Sequence, residues 1–336
     1  MCWGRKSLQN KKIWVRRIKM DVDHQIDYIS EIKRLKTEKN ALILAHYYQP
    51  DAVQDIADYV GDSLALSQKA ASNGADIILL AGVKFMAETA KILVPEKKVL
   101  LPDLNAGCSL ADSCKGKDFS RFIKKNPGRT VVTYINTNSD IKACSDIICT
   151  SSNAVQIVDS LPAGEKVIFA PDRNLGNFIL NKTGRDILVW NGACHVHEEF
   201  SLEAILKLKE EYSDAKVIVH PECELPVRMV ADFIGSTSSL LMFTRSDGSE
   251  SYIVATEPGI IHQMKKENPS KTFIPVPPRD STCGCSECSF MKLTTLEKIF
   301  KCLRDEKPQI LIEDKTLRRA KKPIVRMMKI SEKLGL

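Results

Sequence analysis

Residues 42–66 read LILAHYYQPDAVQDIADYVGDSLAL, and the rest of the chain is built on variants of this stretch. The apolar run Leu42-Ile43-Leu44-Ala45 stops at a polar cluster, His46-Tyr47-Tyr48. A buried parallel strand reads this way when it delivers reactive side chains at its carboxyl end. A helical pattern follows, and 17 residues after His46 comes Ser63, closing Gly61-Asp62-Ser63 ahead of another helical run, Leu64 to Ala71.

The same arrangement recurs twice. Thr130–Asn136 (TVVTYIN) and Lys216–Glu222 (KVIVHPE) are the matching strands, with Tyr134 lying 88 residues after His46 and His220 lying 86 after Tyr134. Each is followed 17 residues on by a small-hydroxyl motif, Ser151-Ser152-Asn153 and Gly235-Ser236-Thr237. A second strand is expected at Ile77–Ala81, Val167–Ala170 and Tyr252–Ala255, and a third at Val99–Leu101, Ile187–Trp190 and Phe273–Val276. Soon after the third strand each copy places one cysteine in a loop: Cys108, Cys194 and Cys288. Helical segments lead into the copies at Ile26–Lys36, Phe119–Lys125 and Leu202–Glu211, and Leu296–Leu303 holds the same phase after the last cysteine. Alternating strands and helices imply parallel sheets that bind ligands at the strands' carboxyl ends. The expected fold is α/β, with three small lobes around a pseudo-threefold axis and their polar strand ends facing one central cavity. The expected divisions are a basic arm at 1–20, lobes at 21–115, 116–199 and 200–292, and a C-terminal helical segment at 293–336.

Composition narrows the functional classes. The chain has 336 residues, 43% of them hydrophobic, which is long for one core. No run of 18 apolar residues suits a membrane span, and the basic start lacks the apolar core of a secretory signal. The net charge of +7 sits at the N-terminus: residues 1–20 carry seven Lys/Arg and no acid, leaving 42 basic against 42 acidic residues beyond. The arm reads either as an unstructured tail or as a stretch upstream of an initiator at Met20. A neutral body of this kind argues against nucleic acid as a partner and for a cytoplasmic enzyme of small molecules. Eleven cysteines, odd in number and without framework spacing, point to thiolate ligands or redox work rather than disulfides.

One thiol per copy, at equivalent positions, suits a single shared metal centre. Three thiolates are one short of the usual four, so a [4Fe–4S] cluster held this way keeps one iron open as a Lewis acid. Cys283-Gly284-Cys285-Ser286-Glu287-Cys288 is denser. It lacks a second pair for structural zinc, though Cys285 and Cys288 have redox-pair spacing. His195-Val196-His197-Glu198 has metal-binding residue types but reads as a supporting or surface feature. His46, Tyr48, Tyr134, Asn136, His220 and Glu222 supply donors, acceptors and one general base. Ser63, Ser151, Ser236 and Thr237 stand at expected helix starts, where hydroxyls either cap the helix or bind anions with the free N–H groups. No glycine-rich nucleotide loop follows a strand.

These residues resemble the bacterial quinolinate synthases over about residues 24–312. The likeness rests on His46-Tyr47-Tyr48-Gln49, Gly61-Asp62-Ser63, Gly82–Glu88, Pro102–Leu110, Tyr134-Ile135-Asn136 and Ser151–Ala154. It continues through Trp190–His197, His220-Pro221-Glu222-Cys223, Gly235–Ser238 and Cys288–Lys292. It implies a [4Fe–4S] cluster on Cys108, Cys194 and Cys288. It also implies condensation of iminoaspartate with dihydroxyacetone phosphate to quinolinate, with release of phosphate and two waters, in NAD biosynthesis, with the enzyme that supplies iminoaspartate as a possible partner. His46, Ser63, Tyr134, Asn136, Ser151, His220, Glu222 and Thr237 would contact substrate, and Ser236 would help hold a carboxylate or phosphate. Glu222, Tyr48 and His46 would be catalytic, Glu222 moving protons and Tyr48 assisting the enediol chemistry. Ser289 stands where many relatives have Pro, and the Cys-x-Cys-x-x-Cys spacing departs from the two-residue gaps of some. Other three-cysteine iron–sulfur enzymes of similar plan, the isoprenoid diphosphate reductase or the diphthamide type, are the alternative reading, followed by a zinc-dependent nucleic-acid-binding protein.

Overall fold

The computed structural model describes residues 26–279 and 286–336. The basic arm and the Cys283 and Cys285 thiols lie outside these residues. No described helix is long and apolar enough to cross a membrane.

Three four-stranded sheets carry the chain, each wholly parallel and each with the same strand order. The first comprises β1 (Ala41–His46), β2 (Tyr59–Gly61), β3 (Ile77–Ala81) and β4 (Lys98–Leu100), in the order β2-β1-β3-β4. The second comprises β5 (Thr130–Tyr134), β6 (Ile147–Cys149), β7 (Val167–Ala170) and β8 (Ile187–Val189), ordered β6-β5-β7-β8. The third comprises β9 (Lys216–Val219), β10 (Phe233–Ile234), β11 (Ser251–Ala255) and β12 (Thr272–Pro275), ordered β10-β9-β11-β12. In this order the chain leaves the first strand toward one edge and returns across it to the other. The crossovers thus diverge at the carboxyl end of β1, β5 and β9, where α/β sheets open a crevice.

The three expected strands per copy form, and a fourth joins them. β2, β6 and β10 are two or three residues long, too short to leave a periodic signal. One aspartate fixes each of them. Asp58, Asp146 and Asp232 accept through Oδ2 from the backbone N–H of Ile43, Val131 and Val217 at 2.9, 2.8 and 2.7 Å. Each also donates its own N–H to the carbonyl of the same residue, at 2.9, 2.9 and 2.8 Å. Each aspartate thus ties the edge strand to the central one with the same two-point clamp.

Both faces of each sheet are covered, so alternate residues of one strand enter different clusters. In the third sheet Val217, Val219, Ile253 and Ala255 pack toward Phe200 and Ile205 of the helix side, whereas Ile218, Tyr252 and Val254 pack with Leu240, Ile260 and Met264. The C-terminal residues are part of the same body. Helix Leu296–Asp305 buries Ile299, Phe300, Cys302 and Leu303 on the first sheet with Ile32, Leu35 and Ile43. Helix Asp314–Lys333 sets Ala320, Ile324 and Met327 into the cluster shared by the first and second sheets.

Candidate active site

A cavity lies where the three sheets' carboxyl ends meet. His46, Tyr48, Ser63, Cys108, Tyr134, Asn136, Ser151, Cys194, His220, Glu222, Thr237 and Cys288 all line it. Ser236 does not. It caps helix Thr237–Ser246, its hydroxyl accepting from the Ser239 N–H at 3.2 Å, and is turned toward that helix rather than the cavity. At Ser63 the roles are reversed: Asp62 is the cap, taking the N–H groups of Leu64 and Ala65, and the serine hydroxyl is left to the cavity. Thr237 likewise is the first helical residue, one position past its cap. Both therefore sit at the electropositive end of a helix.

β1 and β9 end in the same local structure. The chain turns after His46 and His220, and the backbone N–H two residues on points back at the ring: Tyr48 N to His46 Nδ1 at 3.1 Å, Glu222 N to His220 Nδ1 at 3.4 Å. An acceptor Nδ1 requires the proton on Nε2, so each ring offers the cavity an N–H donor. Burial keeps both rings neutral, pushing His46 down to about 4 and His220 to about 3. The second lobe has Tyr134 at this place, and its hydroxyl donates to Glu222 Oε1 at 2.5 Å.

Glu222 is almost wholly buried. Burial opposes its charge, but His197 and His220 beside it and the Tyr134 hydrogen bond together hold the carboxyl well below the usual range. Oε2 lies 3.2 Å from His197 Nδ1, bent off that nitrogen's N–H direction. Asp172, behind the cavity wall, is driven the other way, upward, by burial and by Glu222. Of the two acids, Glu222 carries the charge and Asp172 the proton. Tyr48 is held by two hydroxyls of the third lobe, Thr237 at 3.0 Å and Thr256 at 2.9 Å, and burial keeps its phenol protonated.

The three lining thiols share one setting. Each cysteine precedes a single helical turn: Ser109–Asp112, His195–Glu198 and Met291–Leu293. Backbone N–H groups of that turn or its cap face the sulfur, from Leu110 and Ala111 at Cys108, His197 at Cys194, and Phe290 and Met291 at Cys288. Such N–H groups stabilise a thiolate. Burial pushes all three thiols up, Cys108 to about 12, so a bound cation is what would ionise them. The loop of Cys288 is fixed by Glu257, whose carboxylate accepts from the Cys288 N–H at 3.2 Å and pairs with Lys292 at 2.9 Å. Cys114, Cys144, Cys149, Cys223 and Cys302 are absent from the lining. Cys223, next to Glu222, turns its sulfur to the Ala255 carbonyl.

Sequence reasoning passed over Asp172, Thr256 and Glu257, and took His197 as a supporting or surface feature. His197 is 2% exposed, not a surface group, and its ring, Cys194 and Glu222 each bring a ligand-type atom within 4.8 Å of one another. A usable signal existed for Thr256-Glu257, because this pair directly follows β11 at its carboxyl side, where polar residues gather.

Similarity to known proteins identifies the family. The sequence pattern of the family described as quinolinate synthetase A protein matches residues 30–329. The chain belongs to the quinolinate synthase family. Its relatives include the quinolinate synthase of Thermosynechococcus vestitus, 57% identical over 306 residues that span 91% of this chain and 96% of that one. The quinolinate synthases of a Synechococcus and a Synechocystis strain are each 55% identical, covering 92% and 91% of this chain and 97% and 96% of theirs. The chain is therefore an enzyme of this family, and all three sheets lie within the match.

Proposed function

We propose that this enzyme condenses iminoaspartate with dihydroxyacetone phosphate to quinolinate, releasing phosphate and two waters, as a step of NAD biosynthesis in the cytoplasm. The observation that carries the reading is the convergence of Cys108, Cys194 and Cys288, one from each lobe, on the cavity that also holds Glu222 and the two donor histidines.

The residues fit a [4Fe–4S] cluster. There are three thiols in matching helical-turn settings with N–H groups aimed at the sulfurs, and no fourth thiol among the described lining residues. When bound, the cluster would supply a Lewis-acidic iron beside Glu222 that favours departure of an oxygen as water.

The protein's own groups account for the rest of the substrate's chemistry. The two substrates bring two carboxylates and a phosphate, yet no Lys or Arg is found among the described lining residues. Anion binding then falls to neutral donors. These are the helix starts at Ser63 and Thr237, the Nε2–H groups of His46 and His220, and the Ser151 hydroxyl. Asn136 has a buried Oδ1 without a partner, an amide left over for a ligand. Glu222, ionised and already hydrogen-bonded, is the base that removes carbon-bound or ammonium protons in the condensation and returns them in dehydration. Tyr48, neutral and pinned across lobes, would serve the enediol and carbonyl oxygens. An imine substrate is short-lived in water, so the enzyme that makes it is the expected partner.

The test is turnover by anaerobically purified protein given iminoaspartate and dihydroxyacetone phosphate without a reductant. Quinolinate and phosphate in equal amounts are expected. Absence of quinolinate from iron-replete protein would overturn the reading.

A further inference from the structure

Each cysteine loop is fastened to its sheet, and the third fastening differs from the other two. β3, β7 and β11 all end in an alanine, at Ala81, Ala170 and Ala255. Three residues past that end, Lys84 and Arg173 donate their backbone N–H groups to the carbonyls of Ala106 and Gly192, both at 2.7 Å. Those carbonyls stand two residues before Cys108 and Cys194. The equivalent residue after β11 is Pro258, which has no N–H to give. The main-chain latch cannot form ahead of Cys288.

Side chains take its place. Glu257, next to that proline and 0% exposed, accepts from the Gly259 N–H at 2.8 Å and from the Cys288 N–H at 3.2 Å. Lys292 Nζ lies 2.9 Å from the same oxygen that takes the Cys288 N–H, and it donates to the Tyr48 carbonyl at 2.9 Å. Beside it the fully buried Gln49 donates through Nε2 to the Met291 carbonyl at 2.8 Å. The loop that carries Cys288 is thus tied at two points to the segment that leaves β1 with Tyr48, as well as to the end of β11. A carboxylate buried this deeply is very costly without its cation. Glu257 therefore fixes where the ammonium sits, and the ammonium fixes the Tyr48 carbonyl.

We propose that Lys292, together with Glu257, is a positioning residue that couples the seat of Cys288 to the placement of Tyr48; the idea rests on the roles given above to Tyr48 and the three cysteines. The loops of Cys108 and Cys194 are latched by main chain. The loop of Cys288 is latched by an ion pair that it shares with the first sheet, so disturbing the pair moves a metal-binding thiol and a substrate-facing phenol together. Lys292 does this without touching substrate. Chemistry at two ends of one condensed intermediate needs both ends held in register, and this pair is the strut between them.

The experiment compares Lys292→Met, Glu257→Gln and the double variant as anaerobic holoenzymes. Methionine keeps most of the lysine stem, and glutamine keeps an oxygen for the Cys288 N–H. The readouts are the rate at which the ferrous chelator bathophenanthroline strips iron, and kcat and KM normalised to iron per chain. Lys292→Met is expected to release iron about tenfold faster, as loss of a charge-assisted hydrogen bond implies. It is also expected to lose about tenfold in kcat, with KM within about threefold of wild type. The double variant should lose no more than Lys292→Met in either readout, because the two side chains act as one unit. Lys292→Met with wild-type iron release or wild-type kcat, or a double variant whose losses are the product of the single ones, would overturn the coupling. If Lys292→Met holds no iron, the double variant, which leaves no lone charge buried, decides against wild type: losses in both readouts support the coupling, and wild-type behaviour in either refutes it. Wild-type protein that binds no iron or fails to turn over would instead refute the proposed function, so the two failures are distinct.

Discussion

Replacing Glu222 by Gln isolates charge from shape. The amide has the same outline in a site that is 2% exposed, so packing is preserved. Its oxygen still accepts from the Tyr134 hydroxyl, which lies 2.5 Å from Oε1. What disappears is the ionised base. General acid–base catalysis contributes roughly 10²- to 10⁴-fold, which at 1.36 kcal/mol per tenfold is about 3 to 5 kcal/mol on the barrier. The structure favours the upper part of that span, because no other described lining carboxylate is free to substitute: Glu257 is tied to Lys292 and Asp62 to its helix. The assay is steady-state quinolinate formation under anaerobic conditions, normalised to iron per chain. Glu222→Gln should bind the wild-type amount of iron and lose at least about 100-fold in kcat. An iron-replete variant with kcat within threefold of wild type would refute the role.

Other consequences concern stability. Because His46 and His220 are held neutral, with folded values of about 4 and 3, acid favours the unfolded chain, which binds their protons first. Stability is full above the ordinary histidine value of about 6.5 and falls as pH drops from there toward the folded values, by about 1.5 kcal/mol per histidine between pH 6.5 and 5. Urea midpoints across that range should show it, and His46→Gln should flatten the slope; an unchanged slope would contradict the burial argument. Asp232→Ala removes the acceptor of the Val217 N–H and frees β10, at a cost of about 1 to 3 kcal/mol, read as a lower urea midpoint; Asp58→Ala and Asp146→Ala should behave alike, and no shift in any of them would dismiss the clamp. Ile324→Ala, at a fully buried position joining the first and second sheets, should cost about 2 to 5 kcal/mol, whereas a surface helix would lose almost nothing.

The lobes were legible because their signals repeat. A strand with two covered faces must be apolar throughout, so Leu42–Ala45, Val131–Val132 and Val217–Val219 stand out, and the abrupt polar residue after each marks its carboxyl end. The edge strands were not legible. Two or three residues cannot display a period, and the clue that locates them, an aspartate 15 residues after its backbone partner, is visible only once the pairing is known. The cavity-lining set followed from register: residues 17 positions beyond a strand end come round to the same mouth. Ser236 misled because a cap and an anion-binding hydroxyl look identical in sequence, and only the direction of the side chain separates them. His197 was undervalued because a histidine on a one-turn helix gives no hint of burial; that depends on His220 and Phe200 arriving from the third lobe. Thr256 directly follows β11, a strand with the same right to deliver site residues as β9.

The convergence of three sulfurs is the claim on which the chemistry depends, and metal content tests it most directly. Protein purified without oxygen should contain about four iron and four sulfide per chain. Cys108→Ala, Cys194→Ala and Cys288→Ala should each abolish that content, while Cys149→Ala and Cys302→Ala leave it intact. A wild-type preparation without iron, or a cluster that survives loss of any of the three, would contradict the account.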